Sequence, residues 1–214
     1  MIEHKTISLA DQVFEHLETD ILSGKYQRGE ILTESKLSSE LGVSRTPIRE
    51  ALRRLEQEHI IEETAKGAVV LGITEKDVED IFIIRRQLEV IAAGLAAEKC
   101  TDEELEQLKE VLELQEFYLE KSDPEKIKQM DNSFHAAIYK LCDSTIFYDI
   151  LIPLHKKIQK YRKNAVKSAS RAHASVQEHR QIYEALAARN RELVEKCVLE
   201  HVENAYSHIS RKDA

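Results

Sequence analysis

Apolar side chains recur every three or four residues along most of the chain, a spacing typical of amphipathic helices. A first helix is predicted over residues 8–23, with Ser8 as its cap and with an apolar stripe of Leu9, Val13, Leu17 and Ile21. From residue 74 onward the pattern predicts only helices, over residues 77–100, 102–121, 124–142, 144–168, 170–189 and 191–210. Because their connections are short, we expect these helices to form an antiparallel bundle.

Residues 33–58, TESKLSSELGVSRTPIREALRRLEQE, predict two short helices around a tight turn. Thr33 is placed to cap the first helix, Gly42 to end it and Ser44 to cap the second. Pro47 falls in the first turn of the second helix, where its missing N–H does little harm. The spacing i, i+3, i+4, i+7 predicts that this second helix buries Ile48, Ala51, Leu52 and Leu55.

Three arginines lie on a neighbouring face of the second helix. Arg45, Arg49 and Arg53 follow one another at i+4 beside Thr46. A helix–turn–helix with Ser, Thr and Arg at the start of its second helix is suited to enter a DNA major groove. The alternative is a solvated basic face on an ordinary helix pair. The cap, the glycine turn and the arginine spacing together favour DNA binding.

A β-hairpin is predicted next, because two runs at residues 59–64 and 69–71 flank a tip that contains Lys66 and Gly67. Three helices followed by a hairpin form a winged helix–turn–helix, whose tip lies where a minor groove can be touched. The sequence therefore predicts a mostly α protein. Residues 1–72 form a winged helix–turn–helix and residues 73–214 form an all-α antiparallel helical bundle.

Charge and composition narrow the function. The 214 residues carry a net charge of −8, and residues 1–70 hold 9 Lys+Arg against 13 Asp+Glu. DNA binding would therefore have to depend on a local basic surface rather than on the total charge. The three cysteines show no CxxC spacing, which favours a reducing compartment. Because no signal peptide and no apolar segment of about 18 residues is visible, we expect a soluble cytoplasmic protein with no membrane partner.

One carboxylate and three imidazoles fall on or beside the apolar stripes of three bundle helices. Asp131 and His135 lie at i, i+4 on one helix, His179 lies on the next but one, and His201 lies on the last. Four such groups would be costly to bury unpaired. A divalent metal ion satisfies all four at once, and the donor set suits zinc, nickel, manganese or copper, with zinc expected first.

Other interpretations of these polar residues remain open. Each histidine alone could be a hydrogen-bonded core residue, and His208 is a rival ligand on the stripe of His201. His155 and His173 are predicted at the surface or the rim. Arg85 falls on an otherwise apolar stripe four residues before Glu89, which predicts either a structural ion pair or a guanidinium fork for a small carboxylate effector.

The segment LTESKLSSELGVSRTPIREALRRLEQEHII closely resembles the winged helix–turn–helix of the GntR superfamily of bacterial transcription regulators. The C-terminal part resembles the FCD branch of that superfamily. Four motifs carry this second resemblance: Arg85-x-x-Leu88-Glu89, Asp131-x-x-Phe134-His135, Glu178-His179-x-x-Ile182, and His201 near the end.

The resemblance implies a homodimeric, ligand-responsive repressor, or less often an activator, on a pseudo-palindromic DNA operator. It also implies an effector domain that binds a metal ion and a small organic acid. Carried over by position, the DNA contacts fall on Ser44, Arg45, Thr46, Arg49 and Gly67, and the metal ligands on Asp131, His135, His179 and His201. Two positions depart from the family pattern. Arg28 replaces a proline before Gly29, and the wing reads GAVV rather than a tip richer in Gly and Arg.

We therefore expect a regulator and not an enzyme. The alternative is a metal-dependent hydrolase or lyase that uses the same Asp and His residues. That alternative needs a general base beside the metal-bound water. Glu178 adjoins His179 in sequence but points about 100° away from it on a helix, so we judge it a poor base. A third hypothesis keeps the regulator but makes the metal ion itself the signal.

Overall fold

The computed structural model describes residues 8–161 and 169–210. The described residues up to Glu75 belong to one compact unit, and residues 76–159 and 169–210 belong to a second. Helices dominate both units, which confirms the predicted fold class. Across these described ranges, no helix combines the length and the apolar composition needed to cross a membrane.

The first unit contains three helices and a small sheet. Its elements are α1 (Leu9–Leu22), β1 (Ile31–Leu32), α2 (Glu34–Leu41), α3 (Arg45–Gln57), β2 (Ile61–Thr64) and β3 (Gly67–Val70). The sheet is antiparallel in the order β1-β3-β2, with Leu32 opposite Ala68. The hairpin of β2 and β3 was predicted. Strand β1 was not, because a two-residue strand is too short to show an alternating pattern.

Local side chains set the helix ends in this unit. The Ser8 and Thr33 hydroxyls accept capping hydrogen bonds from the backbone N–H groups of Asp11 and Lys36, as predicted. Gly42 ends α2 in the left-handed conformation at φ 67°. The prediction for Ser44 was only partly right. Among the described residues it occupies the N-cap position of α3, but its side chain accepts no capping hydrogen bond, so the exposed hydroxyl remains available to a partner.

Gly67 opens strand β3 instead of forming the tip of the hairpin. Its φ is +129°, and a Cβ atom built there would lie 2.7 Å from the Leu32 carbonyl oxygen and 3.0 Å from the Ile31 side chain. Only glycine therefore lets β3 approach β1 this closely. This packing explains the glycine without any DNA contact. The tip itself is formed by Ala65 and Lys66.

The second unit is a helical bundle. Its helices are α4 (Glu75–Lys99), α5 (Asp102–Glu120), α6 (Pro124–Leu141), α7 (Thr145–Tyr161), α8 (Ala169–Ala187) and α9 (Arg191–Ser210). Thr101 and Glu104 form a capping box that begins α5. The predicted continuation of α7 over residues 162–168 lies outside the described residues. Cys142 is buried, whereas Cys197 is only partly buried.

Candidate nucleic-acid interface and metal centre

Helix α3 presents a polar face to solvent. Its first turn exposes Arg45 and Thr46 next to the exposed cap residue Ser44. Arg49 and Arg53 follow on later turns and are also exposed. The opposite face is anchored by the predicted stripe, which is almost completely buried. We call the five exposed residues Ser44, Arg45, Thr46, Arg49 and Arg53 the recognition face. On the hairpin, Lys66 is exposed and Gly67 is half-buried.

Arg49 is engaged by a carboxylate of helix α2. Its Nε and Nη2 atoms donate to the two carboxylate oxygens of Glu34 at 2.7 and 2.8 Å. This hydrogen-bonded pair lowers the pKa of Glu34, and the positive charges of Arg45 and Arg53 lower it further. The Arg49 side chain is 52% exposed and the Glu34 side chain is 31% exposed, so a DNA phosphate or base can reach Arg49 and compete with Glu34 for it.

Arg54 serves the fold instead of the recognition face. Its guanidinium lies 3.9 Å from the centre of the Phe14 ring and pairs with Asp11 at 2.5 Å. These contacts attach α3 to α1. Arg54 is therefore held against α1 and does not belong to the recognition face.

Three histidines from three helices meet inside the bundle. His135 of α6, His179 of α8 and His201 of α9 are all buried, and one ring nitrogen of each lies within 4.8 Å of the other two. They were predicted to converge, and the structure brings them together. We call this group the histidine cluster.

Asp131 and His155 extend the histidine cluster on its α6 and α7 side. Asp131 Oδ1 lies 3.9 Å from His179 Nε2, and Asp131 Oδ2 lies 3.6 Å from His155 Nε2. Asp131, His135 and His155 form a second group whose donor atoms lie within 4.8 Å of one another. The prediction that His155 lies at the surface or the rim was wrong, since this residue is buried.

Neighbouring side chains fix the orientation of two imidazoles. His179 Nδ1–H donates to Gln115 Oε1 at 2.8 Å, and His201 Nδ1–H donates to Glu178 Oε2 at 2.6 Å. Each bond leaves Nε2 as the nitrogen with a free lone pair, which is the form that ligates metals. Glu178 is held in turn by Arg171, whose two terminal nitrogens donate at 2.8 and 2.9 Å.

Burial keeps His135, His155 and His179 neutral. Loss of water lowers the pKa of His135 and His155 below the ordinary value, and neighbouring positive charge lowers that of His135 further. Burial followed by the proximity of His201 lowers the pKa of His179 to about 3. Burial alone would raise the pKa of Asp131, but contacts with the His155 and His179 rings outweigh it and the pKa falls below its ordinary value. Neutral imidazoles and an ionised carboxylate are the forms that bind metal.

The donor set fits a divalent metal ion. Within the described part of the chain, His179 Nε2 is buried without a hydrogen-bond partner, and so are both ring nitrogens of His155. Buried polar atoms of native proteins are nearly always paired. A cation held by several of these nitrogens and Asp131 would satisfy them. His208 is only partly buried and does not belong to either donor group of the described residues.

Arg85 makes the structural ion pair that was predicted as one alternative. Arg85 and Glu89 are both buried and bonded through Nε and Oε1. Burial alone would raise the pKa of Glu89, but the Arg85 guanidinium outweighs it and holds the pKa below its ordinary value. Glu89 and Tyr139 line a cavity of about 10 Å³ beside His135 and His201. That volume is about enough for one water molecule.

Comparison with known proteins places both units in one family. The FCD domain matches residues 80–204, and the family described as bacterial regulatory proteins, gntR family, matches residues 9–70. The chain belongs to the GntR family of bacterial regulators and carries its FCD domain. The resemblance inferred from the sequence is thereby confirmed.

Individual relatives agree with this family. The transcriptional regulator McbR of Escherichia coli is 30% identical over 201 residues, which are 92% of this chain and 90% of McbR. The gluconate operon transcriptional repressor of Bacillus licheniformis is 36% identical, but over only 58% of this chain and 51% of the repressor. A solved structure of E. coli McbR/YncC superposes with a TM-score of 0.79 at 25% identity and covers 98% of this chain and 100% of that chain. The family is one of transcription regulators, so the chain is a regulator and not a hydrolase or lyase.

The sequence did not predict that His155 and Glu178 belong to the candidate metal centre. His155 follows the buried Leu151 by four residues and precedes the buried Ile158 by three. This helical spacing was a sequence signal that could have predicted the burial of His155. Glu178 was considered only as a base beside His179. Although it points away from that ring on its own helix, it reaches His201 on the neighbouring helix, a contact that no spacing within one helix reveals.

Proposed function

We propose that the protein is a ligand-responsive repressor that binds a pseudo-palindromic DNA operator as a homodimer. Residues 1–72 would read the operator, and residues 73–214 would sense the effector. The recognition face is the observation that carries this proposal, because it exposes Ser, Thr and Arg side chains at the start of a rigidly anchored helix. The names of its relatives as repressors support the sign of regulation. An operator as partner implies the cytoplasm as location.

A DNA-binding measurement with an arginine variant tests this proposal. We expect Arg49→Ala to weaken binding to the protein's own promoter region and to lower the salt dependence by about one phosphate contact. Fluorescence anisotropy over a series of salt concentrations measures both quantities. Arg191→Ala is the matched control, since it removes an exposed arginine of the bundle that pairs with Glu98 and Glu195. Specific binding that is unchanged in Arg49→Ala would contradict the assignment.

The homodimer is proposed from the operator symmetry and from an apolar face of α4. Ile84 and Ile91 are 41% and 43% exposed, and they lie seven residues apart on the same side of the helix. A two-fold dimer places two recognition helices on two half-sites. We expect Ile84→Glu to yield a monomer in sedimentation analysis and to weaken operator binding, and an unchanged dimer would exclude this face.

The effector site is proposed at the histidine cluster and Asp131, with a divalent metal ion and a small organic acid. Zinc is the ion expected from the sequence, with nickel or manganese as alternatives. When bound, the metal ion would supply a Lewis-acidic position for the carboxylate of the acid. Arg85 is proposed as a second contact to that acid. Its guanidinium is already bonded to Glu89, so the acid would have to displace an internal carboxylate.

The alternative in which the metal itself is the signal has a separate test. Operator affinity should follow the free metal concentration if the metal is the signal. If metal stays bound through dialysis and operator affinity responds only to added acids, the metal is a structural part of the effector site.

A further inference from the structure

His155 is a buried imidazole that the predicted ligand set does not use. It lies on α7 and is 5% exposed, and in the described part of the chain neither of its ring nitrogens has a hydrogen-bond partner. Asp131 Oδ2 lies 3.6 Å from its Nε2, which is longer than a hydrogen bond. Its ring centre lies 4.2 Å from that of His135.

Two donor groups overlap at this place. One consists of His135, His179 and His201, and the other of Asp131, His135 and His155. His135 belongs to both groups. Asp131 joins them as well, because one carboxylate oxygen faces His179 and the other faces His155. The two groups therefore adjoin each other through His135 and Asp131, and His155 lies beside these two shared residues.

A purely orienting role explains His155 less well. Gln159 already donates a hydrogen bond to Asp131 Oδ2, so this carboxylate is held without His155. A histidine that only orients a carboxylate normally does so through a hydrogen bond, and a histidine that only packs normally satisfies its N–H elsewhere. His155 does neither, whereas a metal ion beside Asp131 and His135 would give its lone pair a partner.

We propose that His155 is a fifth protein ligand and that the site selects a six-coordinate divalent ion, such as nickel, over zinc. This inference rests on the proposed metal site and deepens it. Zinc in proteins is almost always held by four ligands, and imidazole-rich sites also suit nickel. Five protein donors exceed the usual number for zinc and leave one position of an octahedron open. An acid effector would then contact the ion through a single oxygen.

Metal affinities of the full-length protein test this proposal. Wild type and His155→Gln are stripped with a chelator and titrated with nickel and with zinc by competition calorimetry. We expect His155→Gln to weaken nickel binding by more than about 100-fold, beyond the loss typical of an orienting residue, and to weaken zinc binding far less. The matched control is His173→Gln, which changes an exposed histidine of α8. The d–d absorption of bound cobalt(II) should also change toward a lower coordination number in His155→Gln only.

A measurement on the wild-type protein removes any dependence on the folding of the variant. With isotope-labelled histidine and a spin-active cadmium isotope, four imidazole nitrogens should show coupling to the metal. Three coupled imidazoles, or nickel affinity and cobalt absorption unchanged in His155→Gln, would overturn the proposal. His179→Gln separates the two levels of inference. If His179→Gln abolishes metal binding while His155→Gln leaves it unchanged, the proposed metal site is supported and the assignment of His155 as a fifth ligand is rejected. If the wild-type protein binds none of these ions, both the metal site and the fifth ligand are rejected. Operator binding is tested separately by the DNA-binding measurement.

Discussion

Removal of metal from the histidine cluster should lower the thermal stability of the helical bundle. Without an ion, His179 Nε2 and the ring nitrogens of His155 are buried polar atoms with no partner among the described residues. A buried polar group without a partner costs about 1–3 kcal/mol. One unpaired acceptor nitrogen on each ring thus destabilises the metal-free bundle by about 2–6 kcal/mol, which binding of an ion would offset.

The expected change in melting temperature follows from linkage. An ion that binds only the folded state, at about 100 times its dissociation constant, adds about 2.7 kcal/mol to the free energy of unfolding. For domains of roughly this size, each kcal/mol shifts the melting temperature by about 2–4 °C. Saturation with metal should therefore raise the melting temperature of the bundle by about 5–11 °C.

Differential scanning calorimetry of the full chain, with chelator or with saturating zinc or nickel, measures this shift. At about pH 7.5 unfolded histidines are neutral, and the pKa values of His135, His155 and His179 are lower still in the folded state, so proton uptake by these three rings does not obscure the result. His179→Gln should lose the shift and His173→Gln should keep it. An equal melting temperature with and without metal would refute the reasoning, as would an undiminished shift in His179→Gln.

Three further predictions concern stability. Glu89→Gln should leave Arg85 buried without its charged partner and should lower the free energy of unfolding, measured by urea titration, by about 3–5 kcal/mol. The control Glu195→Gln, at the surface, should lower it by less than about 1 kcal/mol, and equal effects of the two variants would contradict the buried ion pair. Gly67→Ala should destabilise the first unit by about 1–3 kcal/mol. The effect should be larger than that of Gly42→Ala, where an added Cβ atom meets nothing within 4 Å, and limited proteolysis compares the stability of the two variants. His135, His155 and His179 have lowered pKa values in the folded state, so below about pH 6.5 the unfolded state binds more protons and the metal-free protein should lose up to about 1.4 kcal/mol for each of these three histidines per pH unit. Stability that stays constant from about pH 6.5 to 5 would contradict their burial as neutral rings.

The helices and their buried faces could be predicted because the information is local. The stripe of α3, the cap at Thr33 and the turn at Gly42 each depend on residues within a few positions of one another. Strand β1 could not be predicted this way, since it exists only through its pairing with β3. The role of Gly67 is hidden for the same reason, because the atoms it makes room for belong to Ile31 and Leu32.

The metal centre could be predicted only in part. Asp131 and His135 share one helix, so their spacing reveals a common direction. The convergence of His179 and His201 was inferred from two separate apolar stripes. His155 was predicted in the wrong environment, although its spacing from Leu151 and Ile158 places all three on the buried side of α7. The bond between Glu178 and His201 joins two helices, and such partners depend on the packing of the bundle rather than on the spacing within either helix.

The pair of Arg49 and Glu34 has a consequence for how DNA sequences are discriminated. Glu34 accepts hydrogen bonds from Nε and Nη2 of Arg49, so we propose that it competes with any DNA group that would bind through these two nitrogens. A single phosphate oxygen replaces only part of the hydrogen bonding of the two carboxylate oxygens that it displaces. A guanine edge, with two acceptors side by side, matches the bidentate geometry. We therefore expect Glu34 to weaken the binding of random DNA more than the binding of an operator that offers a guanine to Arg49, and so to increase the difference in affinity without any added contact.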